Sequence, residues 1–372
     1  LIEQIAIAGY RSIRSIILRL GQLNVVTGAN GSGKSNLYRA LKLIADGASG
    51  RLAESLAREG GFSSVCWAGS KLNGKDPVSL RLGFLAHPFS YCLDIGLPIP
   101  MKSAFDLDPE IKRECLWHGV GMEAKSLCAD RRNAALRTRS ANGKWMDVDL
   151  SLSRHASMLS EYVDPFNAPE LIVVRELLRT WRFYDTFHVD RESPARRPSV
   201  VKFTPILSAD GSDLAAALQT IREIGDHEGL DRTIDDAFPG SRIQIEADTF
   251  GMQVALEQTG IMRDLSAAEL SDGTLRFLLL TAAMLTPRPP ELMVLNEPEN
   301  SLHEDLIPAL GRLIRLAAES SQVIVVSHNA SLVEELEADE RCVPIRLEKD
   351  RGATVLQDGG LLSQCGWKWP SR

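Results

Sequence analysis

Residues 23–35 read LNVVTGANGSGKS, and NLYRALKLIADG follows at 36–47. Leu23 to Thr27 is a short apolar, β-branched run, which predicts a strand. Leu37, Ala40, Leu41 and Ile44 recur at helical spacing, and Gly47 is a fitting C-terminal stop. Between them lies a Gly-rich loop, Gly28 to Ser35. Glycines 28, 31 and 33 let successive backbone N–H groups turn toward one anion, to which the helix N-terminus adds its positive end. Ala29 and Ser32 complete the cradle, with Asn30 and Asn36 as polar neighbours. In this pattern Lys34 reaches the β- and γ-phosphates of a nucleotide, and Ser35 places its hydroxyl on the Mg²⁺ that bridges them. The competing reading is a chance Gly-rich turn, against which the flanking strand and helix both argue.

Three further stretches extend the pattern. Leu292 to Leu295 is an apolar strand ending at Asn296-Glu297-Pro298-Glu299. In phosphate-loop ATPases such a strand delivers an acid to the Mg²⁺ shell, and a following Glu polarises the attacking water, which makes Glu297 the expected base. The alternative is a solvated turn containing Glu297 and Glu299. Val323 to Val326 ends at Ser327 and His328, where a parallel strand opens onto a crevice, so His328 is expected to sense the γ-phosphate. Ser271, Asp272, Gly273 and Thr274 form a helix-start signature before LRFLLLTAAML; taken alone it is an N-cap and nothing more.

The set resembles the ABC class of ATPases, and within it the RecF-like branch with the OLD-type, AAA-family predicted ATPases. IEQIAIAGYRSIRSIILRLGQLNVVTGANGSGKSNL looks like the amino-terminal strand pair and Walker A loop. ELSDGT resembles the signature, LMVLNEPENSLH the Walker B strand and D-loop, and VIVVSHNASLVEEL the His switch. The resemblance implies an α/β P-loop NTPase with a mixed central sheet, an antiparallel β subdomain and a helical signature lobe. It implies Mg²⁺-dependent ATP hydrolysis by heads that dimerise around ATP. Lys34, Ser35, Glu297 and His328 of one copy would then face Ser271, Asp272, Gly273 and Thr274 of another. It also implies regulation of a partner or a DNA transaction in repair or defence. A non-hydrolysing ATP switch is the alternative, and a transporter subunit a more distant one.

Two departures stand out. Asn296 occupies the common Asp position, giving the Mg²⁺ shell no charge beside Ser35, and slow turnover follows as an expectation. Second, no glutamine lies between Gln22 and Gln219, so the family's Q-loop Gln lacks an occupant; Tyr184, His188 and Asp190 are the substitutes considered.

The expected organisation is a nucleotide-binding core over 1–205 and 271–372, with an antiparallel β subdomain inserted at about 80–152. A helical and hairpin lobe at 206–270 leads into the signature. Asn142-Gly143 marks a hairpin, and 170–186 reads as helical. Arg131, Arg132, Arg137, Arg139 and Lys144, and again Arg191, Arg196, Arg197 and Lys202, are candidate phosphate contacts for nucleic acid or else a solvated face. Arg11 precedes the loop and is a further candidate for the nucleotide. The 44 residues after His328 leave no room for a nuclease domain of the OLD kind, so an effector is expected in another chain. GWKWPSR near the end offers two Trp residues to cap the core or meet a partner.

With 372 residues, 44% hydrophobic and 24% charged, the chain excludes disordered and collagen-like classes. No apolar run approaches the roughly 20 residues of a membrane span, so a cytoplasmic protein away from membranes is expected. The net charge of −7 removes whole-chain attraction to nucleic acid. Six scattered cysteines without a CxxC pair predict reduced thiols. The opening at Leu1 suggests native residues upstream.

Overall fold

The computed structural model describes residues 1–69, 78–100, 102–140, 142–185, 187–248, 251–357 and 367–372. The chain divides into two compact units: 1–21, 26–181 and 345–372 form the first, and 22–25 with 182–344 the second. The five described cysteines are free thiols, and Cys365 lies outside the described residues.

In the first unit, strands Ile2–Tyr10 and Ile13–Arg19 pair antiparallel. Ile5, Ala6 and Ile7 are all buried, so this strand is covered on both faces, which accounts for its unbroken apolar run. The sheet continues through Ser79–Ala86, Phe89–Gly96, Glu110–His118, Leu127–Arg132, Ala135–Arg139 and Trp145–Asp147, eight antiparallel strands among the described residues. The strands read at 80–152 thus extend the sheet that the first two strands begin. The Asn142-Gly143 turn closes the last hairpin: Ser140 N–H donates to Lys144 O at 2.9 Å, and Gly143 takes φ 75°. Helix Lys34–Ala48 contains Gly47 in its last turn, and Ser49 follows as C-cap. Gly47 is therefore no stop: its φ is not left-handed, and the helix runs one residue past it. Trp367 packs on Trp117 at 6.0 Å between ring centroids and meets Trp369 edge-on, so the Trp pair caps this unit's own core.

A buried ion pair ties the sheet to the segment that follows it. Arg131 and Glu114 are fully buried and paired at 3.3 Å. Arg131 also donates to Asn133 O, Ser153 O and Ala156 O, while Glu114 accepts from the Tyr91 hydroxyl, the Ser157 hydroxyl and Met158 N–H. Burial, then Glu114, push the Tyr91 hydroxyl well above its ordinary pKa, so it stays a donor. Arg131 is thus an internal strut rather than a nucleic-acid contact. Replacing it with Leu leaves Glu114 as an uncompensated buried charge, an expected loss of about 3–5 kcal/mol. A lower urea midpoint at unchanged slope is the readout, and an unchanged midpoint would contradict the network.

In the second unit, Arg182–Tyr184, Leu292–Asn296 and Gln322–Val326 run parallel. Residues 22–25 lie on the far side of the last of these, where Val323 N–H donates to Gln22 O at 2.8 Å and Asn24 Nδ2 to Val323 O at 3.0 Å. Helix Asp272–Met284 is buried almost all round, as its largely apolar sequence requires. Around it lie helices Leu214–Ile224, His227–Ala237 and Ile307–Ala317, with a small sheet of Arg242–Asp248, Gly251–Glu257 and Leu265–Ser266.

The helix expected over 170–186 stops at Thr180, in the first unit, and Arg182–Tyr184 is a strand. Its β-prone Arg-Phe-Tyr pairs with Met293–Leu295, and this pairing overrides the helical reading.

Candidate functional site

The loop belongs to the first unit. Gly28, Gly31 and Gly33 take φ of 153°, 79° and 109°, a region that side-chain-bearing residues avoid. A Cβ at Gly28 would lie 2.3 Å from Leu347 O, and one at Gly33 2.1 Å from Thr354 Oγ1, so both positions also exclude a side chain by space. The loop is fastened from behind. Asn36 Nδ2 donates to Ser12 Oγ, Ser12 Oγ bonds Thr354 Oγ1 at 2.7 Å, and Thr354 Oγ1 donates to Ser32 O at 2.7 Å. Asn36 and Thr354 are therefore positioning residues, and nothing in the local pattern around Thr354 announced it.

Lys34 opens the helix and is buried, its Nζ donating to Gly28 O at 2.6 Å and Ala29 O at 3.3 Å. Ser35 is exposed, as are Ala29, Asn30 and Gly31. Ser32 is buried, and its Oγ has no hydrogen-bond partner among the described residues. Thr27–Asn30 and Ser32 line a cavity of about 310 Å³ together with Arg346–Lys349 and Gln357. Arg11 donates to Glu59 at 2.7 Å, which fixes its guanidinium to a carboxylate of its own unit.

The second unit holds the acidic residues. Its parallel register places Tyr184 beside Leu295 and Asn296 beside Val326. Asp185, Asn296-Glu297 and Ser327-His328 therefore leave three neighbouring strands at their carboxyl ends. Glu297 N–H donates to Val326 O at 2.7 Å, and Glu297 adopts φ 48°, an uncommon conformation for a non-glycine residue. Its Oε2 accepts from Asn300 Nδ2 at 2.8 Å. His328 Nδ1 lies 3.7 Å from Glu297 Oε1 and 3.6 Å from Glu299 Oε1.

Glu299 is not part of a solvated turn. It is buried, and its Oε1 accepts from Ser327 Oγ at 2.6 Å and His328 N–H at 3.1 Å. Arg276, from the signature helix, is buried as well and donates to Glu297 O at 3.2 Å and Pro298 O at 3.4 Å. Burial lowers its pKa, opposed by the charges of Glu299, Asp185 and Glu297. A lone Arg inside LRFLLLTAAM is the signal of it that the sequence carries.

Ser271 caps the signature helix, its Oγ accepting from Thr274 N–H at 3.1 Å. Asp272 pairs with Arg196 at 2.6 Å. Arg196 also donates to Ala267 O and Leu270 O, so this second candidate nucleic-acid contact is a latch on the segment before the signature. A Cβ at Gly273 would lie 3.0 Å from Ser301 O. Ser271, Gly273, Thr274, Ser301 and His303 share the lining of one open hollow of about 640 Å³. Tyr184 is buried, and burial pushes its hydroxyl up to about 12; His188 and Asp190 are exposed.

Backbone N–H groups of the loop and Lys34 can hold phosphates. The oxygen donors around Asn296, with its Oδ1 buried and unpartnered among the described residues, suit a hard cation such as Mg²⁺.

A family model described as "AAA domain, putative AbiEii toxin, Type IV TA system" matches residues 23–79 and 129–334. No curated protein sequence matches the chain. Among solved structures, an Smc head bound to the C-winged helix domain of ScpA superposes with a TM-score of 0.54 at 15% identity, covering 95% of this chain and 97% of that one. A Pyrococcus furiosus Smc head with an extended coiled coil, bound to the C-terminal domain of ScpA, gives 0.50 at 13% identity, with 95% of each chain covered. At these identities the likeness is one of fold, and the fold is that of an Smc head.

Proposed function

Because this chain belongs to the AAA-domain family of P-loop ATPases whose model spans both of its motif-bearing regions, we propose that it binds and hydrolyses Mg²⁺-ATP as a head that dimerises around the nucleotide. The observation that carries the reading is the loop itself: three glycines at positive φ, a buried Lys34 bent over the loop carbonyls, and a dedicated fastening through Thr354. In this proposal Lys34 and the amides of Gly28 to Ser35 bind the phosphates, and Ser35 and Asn296 hold Mg²⁺. Glu297 accepts the proton of the attacking water, and His328 reports on the γ-phosphate. Bound Mg²⁺ neutralises charge developing on the transferred phosphoryl group.

Ser271 to Thr274 of a second copy complete the site, their helix N-terminus offering N–H donors to the γ-phosphate. The open hollow at this cap is the support for that step. The dimer acts on an effector in trans, in defence or repair, and DNA is a further candidate partner. An ATP-gated scaffold that does not hydrolyse is the second reading, favoured by Asn296 and by the lack of a glutamine between Gln22 and Gln219.

The dimer is tested with Glu297→Gln. Light scattering is expected to report a doubled mass on addition of Mg²⁺-ATP, whereas a monomer at saturating nucleotide would count against the composite site.

A further inference from the structure

Asn296 ends its strand where the proposed chemistry asks for a carboxylate. An amide offers a cation an oxygen but no charge. The neighbouring strand runs parallel with Tyr184 opposite Leu295, so the next residue along it, Asp185, comes level with Asn296. The two side chains meet: Asn296 Nδ2 donates to Asp185 Oδ1 at 2.8 Å.

That contact has a direction. A carboxylate can only accept, so it takes the NH₂ end of the amide and turns Oδ1 away from itself. Oδ1 is shut off from solvent and accepts no hydrogen bond among the described residues, a condition that a bound ion or water relieves. Charge leads to the same place. Asp185, Glu297 and Glu299 all act on the buried guanidinium of Arg276, and the buried Oε2 of Glu299 is also without a partner among the described residues. Three carboxylates against one guanidinium leave the carboxyl ends of these strands oxygen-rich and net negative, the environment a hard divalent cation takes.

We propose that Asp185 supplies the carboxylate charge for Mg²⁺ that Asn296 lacks, with the Asn296 amide as the neutral oxygen beside it. The acid has moved from one strand to its neighbour, and the hydrogen bond between the two side chains keeps amide and carboxylate in register. This inference rests on the ATPase reading above.

The test measures the affinity of a fluorescent ATP analogue in Mg²⁺ and in EDTA; the ratio is the gain that the metal confers. Asp185→Asn is expected to cut that gain about tenfold or more, the usual scale for a lost carboxylate at a metal site, with EDTA affinity retained. The charge-exchanged double variant, Asp185→Asn with Asn296→Asp, is expected to recover it, which also controls for a folding defect in the single variant. An unchanged gain in Asp185→Asn, or a double variant no better than the single one, would overturn the assignment. A wild-type chain that binds the analogue in neither condition overturns the ATPase reading itself.

Discussion

Glu297→Gln is expected to slow phosphate release by about 10²- to 10⁴-fold, the scale on which loss of a general base slows a reaction, while ATP stays bound. The substitution is nearly isosteric, and the geometry of the loop does not depend on the charge. An amide oxygen can still accept the 2.8 Å bond from Asn300 Nδ2, and the 2.7 Å bond from the residue 297 N–H to Val326 O is backbone. The unusual φ of 48° is as open to Gln as to Glu. What is lost is the proton acceptor. Release at the wild-type rate would remove Glu297 from that role and turn attention to Glu299 and His328, which share its neighbourhood.

Lys34→Ala acts on binding. The ammonium is buried and bent back onto Gly28 O and Ala29 O, over the loop's concave side. Losing one charge-assisted contact costs about 1.5–3 kcal/mol, so ATP is expected to bind about 10- to 100-fold more weakly in a fluorescence titration. The fastening from Asn36 through Ser12 and Thr354 to Ser32 O does not involve Lys34, so thermal unfolding is expected to stay near that of the wild type. ATP affinity equal to the wild type would contradict the cradle.

The elements legible in the sequence are those whose determinants are local. LNVVT, LMVL and VIVV are apolar runs bounded by polar residues, and each is a strand. The SDGT segment starts a helix because Ser271 can satisfy a backbone donor three residues on. The same locality explains what was missed. Arg182–Tyr184 is three residues long, too short to show a period, and only its pairing with Met293–Leu295 makes it a strand. Asp185 takes its position from that register, which no local pattern around Tyr184, His188 and Asp190 shows.

Burial was equally hidden. The local sequence around Glu299 offers only two acids in a turn, yet its partners Ser327 and His328 lie far along the chain. Arg131 and Arg196 look in sequence like their exposed basic neighbours, because Glu114 and the Ala267 and Leu270 carbonyls that hold them are distant in the chain. In each case a long-range partner, not the residue type, decides whether a charged side chain is surface, strut or site.

The most direct test of the central claim is steady-state phosphate release by the wild-type chain at saturating Mg²⁺-ATP, with Lys34→Ala and Glu297→Gln in parallel and nucleotide binding measured on the same samples. The account predicts turnover in the wild type, its loss in both variants, and weakened binding only in Lys34→Ala. Tight ATP binding by the wild type with no phosphate released would contradict it and leave an ATP-gated scaffold.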